Sequence, residues 1–143
     1  MSDLIPWICA QLDEDERVAL AVRDQRWVYR RSYDNAADQT DHVLIIGDRA
    51  VGADFGDDPL RPTEAEHAAL HDPARVLAEV AAKRRIIDRH QPIEIIDALY
   101  CTHCGVLGGQ RARDVNWPCP EILDAAAPYA DREGYREEWR PDA

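Results

Sequence analysis

The sequence predicts an α+β fold: a mostly helical single domain over residues 1–143, with a small antiparallel β-meander at about residues 27–55 and a zinc knuckle joining two helices. Three observations carry this expectation. Apolar residues recur at three- and four-residue steps from Asp3 to Asp24 and again from Pro73 to His90, the period of a helix with one buried face. Between Gln25 and Pro62 the pattern changes to β-branched and aromatic runs separated by turn formers. Third, a Cys-x2-Cys-x14-Cys spacing follows a histidine that ends the second helical stretch, with ten residues between that histidine and the first cysteine.

Composition narrows the function classes. The chain has 143 residues, 45% of them hydrophobic and 31% charged, enough for one domain with a core of its own and a well-solvated surface. No run of 18 apolar residues occurs, so no membrane span is expected. The opening "MSDLIPWICAQLDEDERV" lacks a basic segment followed by a long apolar one, so it does not read as a secretory signal, and a cytoplasmic location is expected. Net charge is −11, which argues against direct nucleic-acid binding, since duplex binding needs a basic footprint. Lys83, Arg84 and Arg85 read instead as the solvated face of a helix. An acidic chain can also occupy the basic cleft of a nucleic-acid-binding protein, and that inhibitor reading is the alternative.

The elements follow in order. Asp3 is placed as an N-cap with Pro6 in the first turn, and Ile5, Ile8, Leu12, Ala19 and Val22 form the apolar stripe. Cys9 lies in this helix as a small core residue, while Asp13–Glu16 face water. "RWVYRRSY" and "HVLIIG" read as strands, with "DNAADQTD" as an exposed loop between them. Thr63 with Glu66 three residues later resembles a capping box for a short helix ending near His71. Asp72 then caps a second helix with Pro73 in its first position, and Val76, Val80, Ile87 and His90 share one face. "IEIIDALY" reads as one further strand. Cys119 sits like an N-cap with Pro120 behind it, and Pro128 ends or kinks that helix. Tyr135 and Trp139, four residues apart, would dock together from a last helical turn.

Four cysteines in a reducing compartment do not suggest two disulfides. Cys101 and Cys104 flank a turn that lets two thiolates converge on one ion, and Gly105 relaxes that turn. Cys119 brings a third sulfur from a helix N-terminus, where the helix dipole favours thiolate. Thiolate-rich tetrahedral sites select Zn2+. For the fourth ligand, His90 on the apolar face is favoured over His103, whose position inside the turn points it away from an ion held by its neighbours. With His90, Cys101, Cys104 and Cys119 all engaged, no open position is left and the zinc is structural, so no catalytic residue is assigned. The rival is a thiol-redox pair at Cys101 and Cys104; the helix-poor "GVLGG" that follows and the third cysteine argue against it. A metal-dependent enzyme is a further alternative.

The segments "HDPARVLAEVAAKRRIIDRH", "CTHCG", "WPCPEI" and "PYADREGYREEWRP", in that order, resemble an uncharacterised domain-of-unknown-function family of small proteins from actinobacteria and their phages. The resemblance covers the first helix, Trp27 and most of residues 70–141. It implies a histidine at a helix end, a Cys-x-x-Cys and a third cysteine as one ligand set, which falls here on His90, Cys101, Cys104 and Cys119. Glu121 stands where many relatives of that family have threonine. No activity comes with the resemblance. The leading expectation is a non-enzymatic, zinc-stabilised protein that acts through contacts with a protein partner, and the distribution of the family it resembles suggests a phage, prophage or host accessory role.

Overall fold

The computed structural model describes residues 3–34, 39–52, 61–106 and 117–141. Its elements are α1 (Leu4–Ala21), β1 (Trp27–Asp34), β2 (Gln39–Ile46), β3 (Arg49–Gly52), α2 (Pro62–Leu70), α3 (Pro73–Arg89), β4 (Pro92–Ile95), β5 (Ala98–Cys101) and α4 (Pro120–Ala126). The α+β class and the small antiparallel meander are as the sequence implies. Residue contacts group the chain into two compact units, Met1–Glu14 with Val80–Ala143 and Asp15–Glu79.

In the Asp15–Glu79 unit the three strands pair antiparallel in the order β1-β2-β3, with Trp27 opposite Ile46, Asp34 opposite Gln39 and Val43 opposite Gly52. The strands reach further than expected, because Asp34 and Gln39 to Asp41 belong to the ladder and not to a loop; residues 35–38 lie outside the described ones. Residues 53–55 of the expected meander lie outside them too. Gly47 turns the chain between β2 and β3 at φ 61, and a Cβ there would lie 2.3 Å from the Asp24 carboxylate. Helix α2 covers β1 and β2, burying Ala65, and Leu44 is the buried residue of β2. The expected start of α2 at Thr63 is corrected. Pro62 takes the first helical position, where its missing N–H costs nothing, so the cap moves to Arg61, whose N–H donates to Glu64 Oε2 at 2.9 Å.

Asp72 caps α3 as the sequence implies, and it does more. Its Oδ1 accepts the Arg75 N–H at 2.8 Å and its Oδ2 accepts the Trp27 N–H at 3.3 Å, while the Ala74 N–H donates to the Gln25 carbonyl at 3.0 Å. One buried carboxylate thus satisfies a helix start and the first amide of the sheet.

The other unit is built on the N-terminal part of α1, where Leu4, Ile8 and Leu12 are fully buried at successive four-residue steps. Val80 and Ile87 of α3 are buried, as are Ile122, Ala125 and Ala126 of α4 and the aromatic rings of Tyr129 and Trp139. Arg84 pairs with Asp13 at 2.7 Å, and Lys83 donates to the Tyr129 hydroxyl at 3.1 Å. Cys9 is only half-buried, so it is not the core residue the stripe implied. Pro128 does end α4, which gives way to a single 3-10 turn at Ala127–Tyr129. The tail forms a 3-10 turn over Glu137–Trp139 that leaves Tyr135 outside it, yet both rings still dock. They pack on Trp7, at ring-centroid distances of 5.6 Å for Tyr135 and 5.3 Å for Trp139. Trp7 Nε1 donates to the Glu133 carbonyl at 3.0 Å. Gly134 permits this approach at φ 84, since a Cβ would sit 2.9 Å from that nitrogen.

"IEIIDALY" is not one strand. It folds as an antiparallel hairpin, β4 against β5, with Pro92 opposite Cys101 and Ile95 opposite Ala98. The turn residues Ile96 and Asp97 have φ of 48° and 60°. Positive φ at both turn residues fits the twist of a tight hairpin, but it costs a β-branched residue about 1–2 kcal/mol.

Replacing Asp72 by alanine is expected to lower stability by about 1–2 kcal/mol, through loss of the cap and of the Trp27 N–H partner. Asp72→Asn, which keeps an acceptor, should cost less. Urea unfolding of the two variants against wild type checks the order.

Candidate metal centre

Four local devices bring the sulfurs to His90. The His90 N–H continues the α3 ladder, donating to the carbonyls of Ile86 at 3.0 Å and Ile87 at 3.2 Å, which keeps its ring on the helix's buried face. The hairpin then returns the chain to its starting point. Thr102 N–H donates to the Gln91 carbonyl at 2.8 Å, Gln91 N–H to Thr102 Oγ1 at 3.1 Å, and Thr102 Oγ1 to the Arg89 carbonyl at 3.0 Å. Cys101, the last residue of β5, is therefore delivered beside the helix end. A single wide helical turn over Thr102–Val106 carries Cys104 to the same place, where its N–H points at Cys101 Sγ at 3.5 Å. Cys119 arrives as the N-cap of α4, with φ −78° and ψ 159°, and its carbonyl accepts the Ile122 N–H at 3.0 Å.

His90 Nδ1 lies 3.4 Å from Cys101 Sγ, 3.4 Å from Cys104 Sγ and 3.5 Å from Cys119 Sγ. The four ligand atoms all fall within 4.8 Å of one another. A single ring nitrogen has one proton or one lone pair, so three nearly equal contacts to it are not three hydrogen bonds. Around a tetrahedral ion with metal–sulfur bonds of about 2.3 Å and metal–nitrogen bonds of about 2.0 Å, the nitrogen and each sulfur stand about 3.5 Å apart. The donor set and its spacing fit one shared cation, and these four residues could hold a metal ion.

Without a cation, burial favours the neutral forms of the groups at the cluster. Burial pushes the Cys104 thiol from 9.0 up to about 12, helped by its contacts with Glu121 and Cys101. Burial likewise raises the Cys119 thiol strongly, against the opposing Ile122 N–H. Burial lowers the His90 pKa, and Glu121 opposes that shift while His103 and Arg89 add to it. With no cation present these shifts keep the Cys104 and Cys119 thiols protonated and the imidazole neutral; a divalent cation reverses the balance by supplying the charge that thiolates need.

His103 is outside the cluster. It is exposed, and its ring stands edge-on to His90 at 4.7 Å between centroids. Cys9 is not among the four either. Glu121, notable in the sequence only as a departure from the resembled family, comes to 3.4 Å from the cluster, where its Oε2 accepts from Cys104 Sγ. Its carboxyl is held below the usual range by its own backbone N–H first, with burial opposing and the Cys104 and Cys119 thiols assisting. The signal for it was its position, two residues after a ligand in the first turn of α4.

The chain belongs to a family of unknown function (DUF6221), whose family-wide pattern spans residues 1–141. The family assignment implied by the ordered motifs therefore holds, and it extends through residues 28–62, which those motifs did not cover. No curated protein and no solved structure matches the chain.

Because the thiols must lose protons to bind a cation, affinity should rise with pH. Competition with a chromophoric chelator between about pH 6 and 8 should give a slope of one to about three decades per pH unit. A flat profile would mean that thiolates do not bind. In metal-free protein the raised thiol pKa values act in the opposite direction. The contribution of Cys104 is whole below 9.0, the unfolded value, and is lost as pH rises toward about 12.

Proposed function

We propose that this chain is a non-enzymatic protein stabilised by one structural zinc ion, and that it acts through contacts with another protein. The observation that supports this most directly is the equal approach of three sulfurs to His90 Nδ1. Three thiolates and one imidazole complete the tetrahedral shell that zinc prefers, and they leave no position for a substrate or a reactive water. Two of the sulfurs, those of Cys101 and Cys119, are fully buried, as suits an ion that ties elements together. Glu121 borders the set without being needed to fill it.

In this reading the ion fastens the end of α3, the base of the β4–β5 hairpin and the start of α4. Those are three segments of one unit, the first two already joined by the bonds of Thr102 to Gln91 and Arg89. Zinc binding is then part of folding, because the ligands are assembled only in the folded chain. The acidic balance, −11 overall, suits a partner with a basic surface. It also makes the binding of free nucleic acid unfavourable.

Protein purified without chelators should carry about one zinc per chain by elemental analysis. Cys104→Ala should lose the metal and the cooperative unfolding transition, whereas Cys9→Ala and His103→Ala should keep both. Absence of zinc in wild type, or its retention in Cys104→Ala with unchanged unfolding, would sink the reading.

A further inference from the structure

We infer that the β4–β5 hairpin is the chain's recognition finger, inserting Ile96 into an apolar pocket with a basic rim on a partner protein. The inference rests on the reading of this chain as a protein-binding protein and says where it binds. Ile96, at the tip, is 93% exposed, the most exposed of the large apolar residues described. Ile93 and Ile95, two residues apart, share one face of β4 and are exposed as well, with Tyr100 and Ala98 opposite them on β5. An apolar strip thus runs up the ribbon to its end.

Folding alone does not account for this choice of residues. At φ 48, Ile96 occupies a left-handed position that asparagine or glycine takes without strain, and it buries almost nothing there. A residue that is both strained and unburied breaks two local rules at once, which is where a binding role is expected. The base of the same hairpin is tied back to the end of α3. His90 precedes β4, Cys101 ends β5, and Thr102 and Gln91 bond across the gap. A rigid base under an apolar tip presents the tip in one orientation, so little ordering is needed on binding.

Charge selects the occupant. Glu94 and Asp97 are exposed beside the tip, and the chain carries −11. Two copies meeting tip to tip would bring these carboxylates together, and an anionic lipid surface would repel them. A protein pocket rimmed by lysine or arginine meets both the apolar tip and its acidic flanks.

The test places the photo-crosslinker benzoylphenylalanine at position 96 and, in a second protein, at the exposed position 20 of α1. Irradiation in the native host should give a protein adduct from position 96 and none from position 20. The adducted protein, made pure, should bind wild type about 30-fold more tightly than Ile96→Asn. Its affinity should also fall with Asp97→Lys and with rising salt. Ile96→Asn should keep its zinc and unfold at no lower temperature, which separates binding from folding. Unchanged affinity for Ile96→Asn overturns the inference. So does an Ile96-dependent dimer in sedimentation, or Ile96-dependent binding to phosphatidylcholine vesicles. An adduct from position 20 alone removes the finger but leaves the protein-binding reading standing. No adduct from either position removes both, and zinc content reports on the metal independently.

Discussion

Three thiols and an imidazole crowded around one point form the constraint on which the unit holding residues 80–143 depends. Sulfur is a weak hydrogen-bond partner, and His90 Nδ1 can satisfy at most one of the three that face it. Left as neutral groups they would be a poorly bonded buried cluster. Shared by a cation, the same atoms would become four strong bonds, and the three nitrogen–sulfur spacings already suit it. The neighbouring structure makes sense as a means of delivery: a helix that ends on its ligand, a hairpin that returns the chain to the same place, a wide turn, and a helix that begins on a ligand.

The hydrophobic part of that unit is organised separately and locally. Leu4, Ile8 and Leu12 supply the buried face of α1, and Trp7 gathers Tyr135 and Trp139 so that the C-terminal tail closes on the first helix. Gly134 is the concession that lets Trp7 bond to Glu133. In the Asp15–Glu79 unit the corresponding economy lies in Asp72, whose two oxygens serve the start of α3 and the first amide of β1. Each unit therefore turns on a few polar atoms placed where backbone groups would otherwise lack partners.

Much of this was legible in the sequence wherever one residue type has one physical use. Asp72-Pro73 reads as a helix start because proline tolerates only the first turn, and α3 begins there. His90, Cys101, Cys104 and Cys119 were legible as a set because thiols at that spacing have few other reasons to stand together. The hairpin was not legible, because Ile96 stands where a turn signal would be and Asp97 alone is a weak one; a β-branched residue at positive φ is the opposite of what turn chemistry selects. Thr63 misled because its capping pattern is locally sound, yet Pro62, directly after the true cap Arg61, outweighs it. Trp7 was passed over because its partners lie more than 120 residues away, a distance that periodicity cannot see.

One zinc ion held by these four residues and no other ligand has a distinct signature in X-ray absorption at the zinc edge of the purified protein. The expected shell is three sulfurs at about 2.3 Å and one nitrogen at about 2.0 Å. A shell of two sulfurs or fewer, or an added oxygen from water, would contradict it and reopen the site to chemistry.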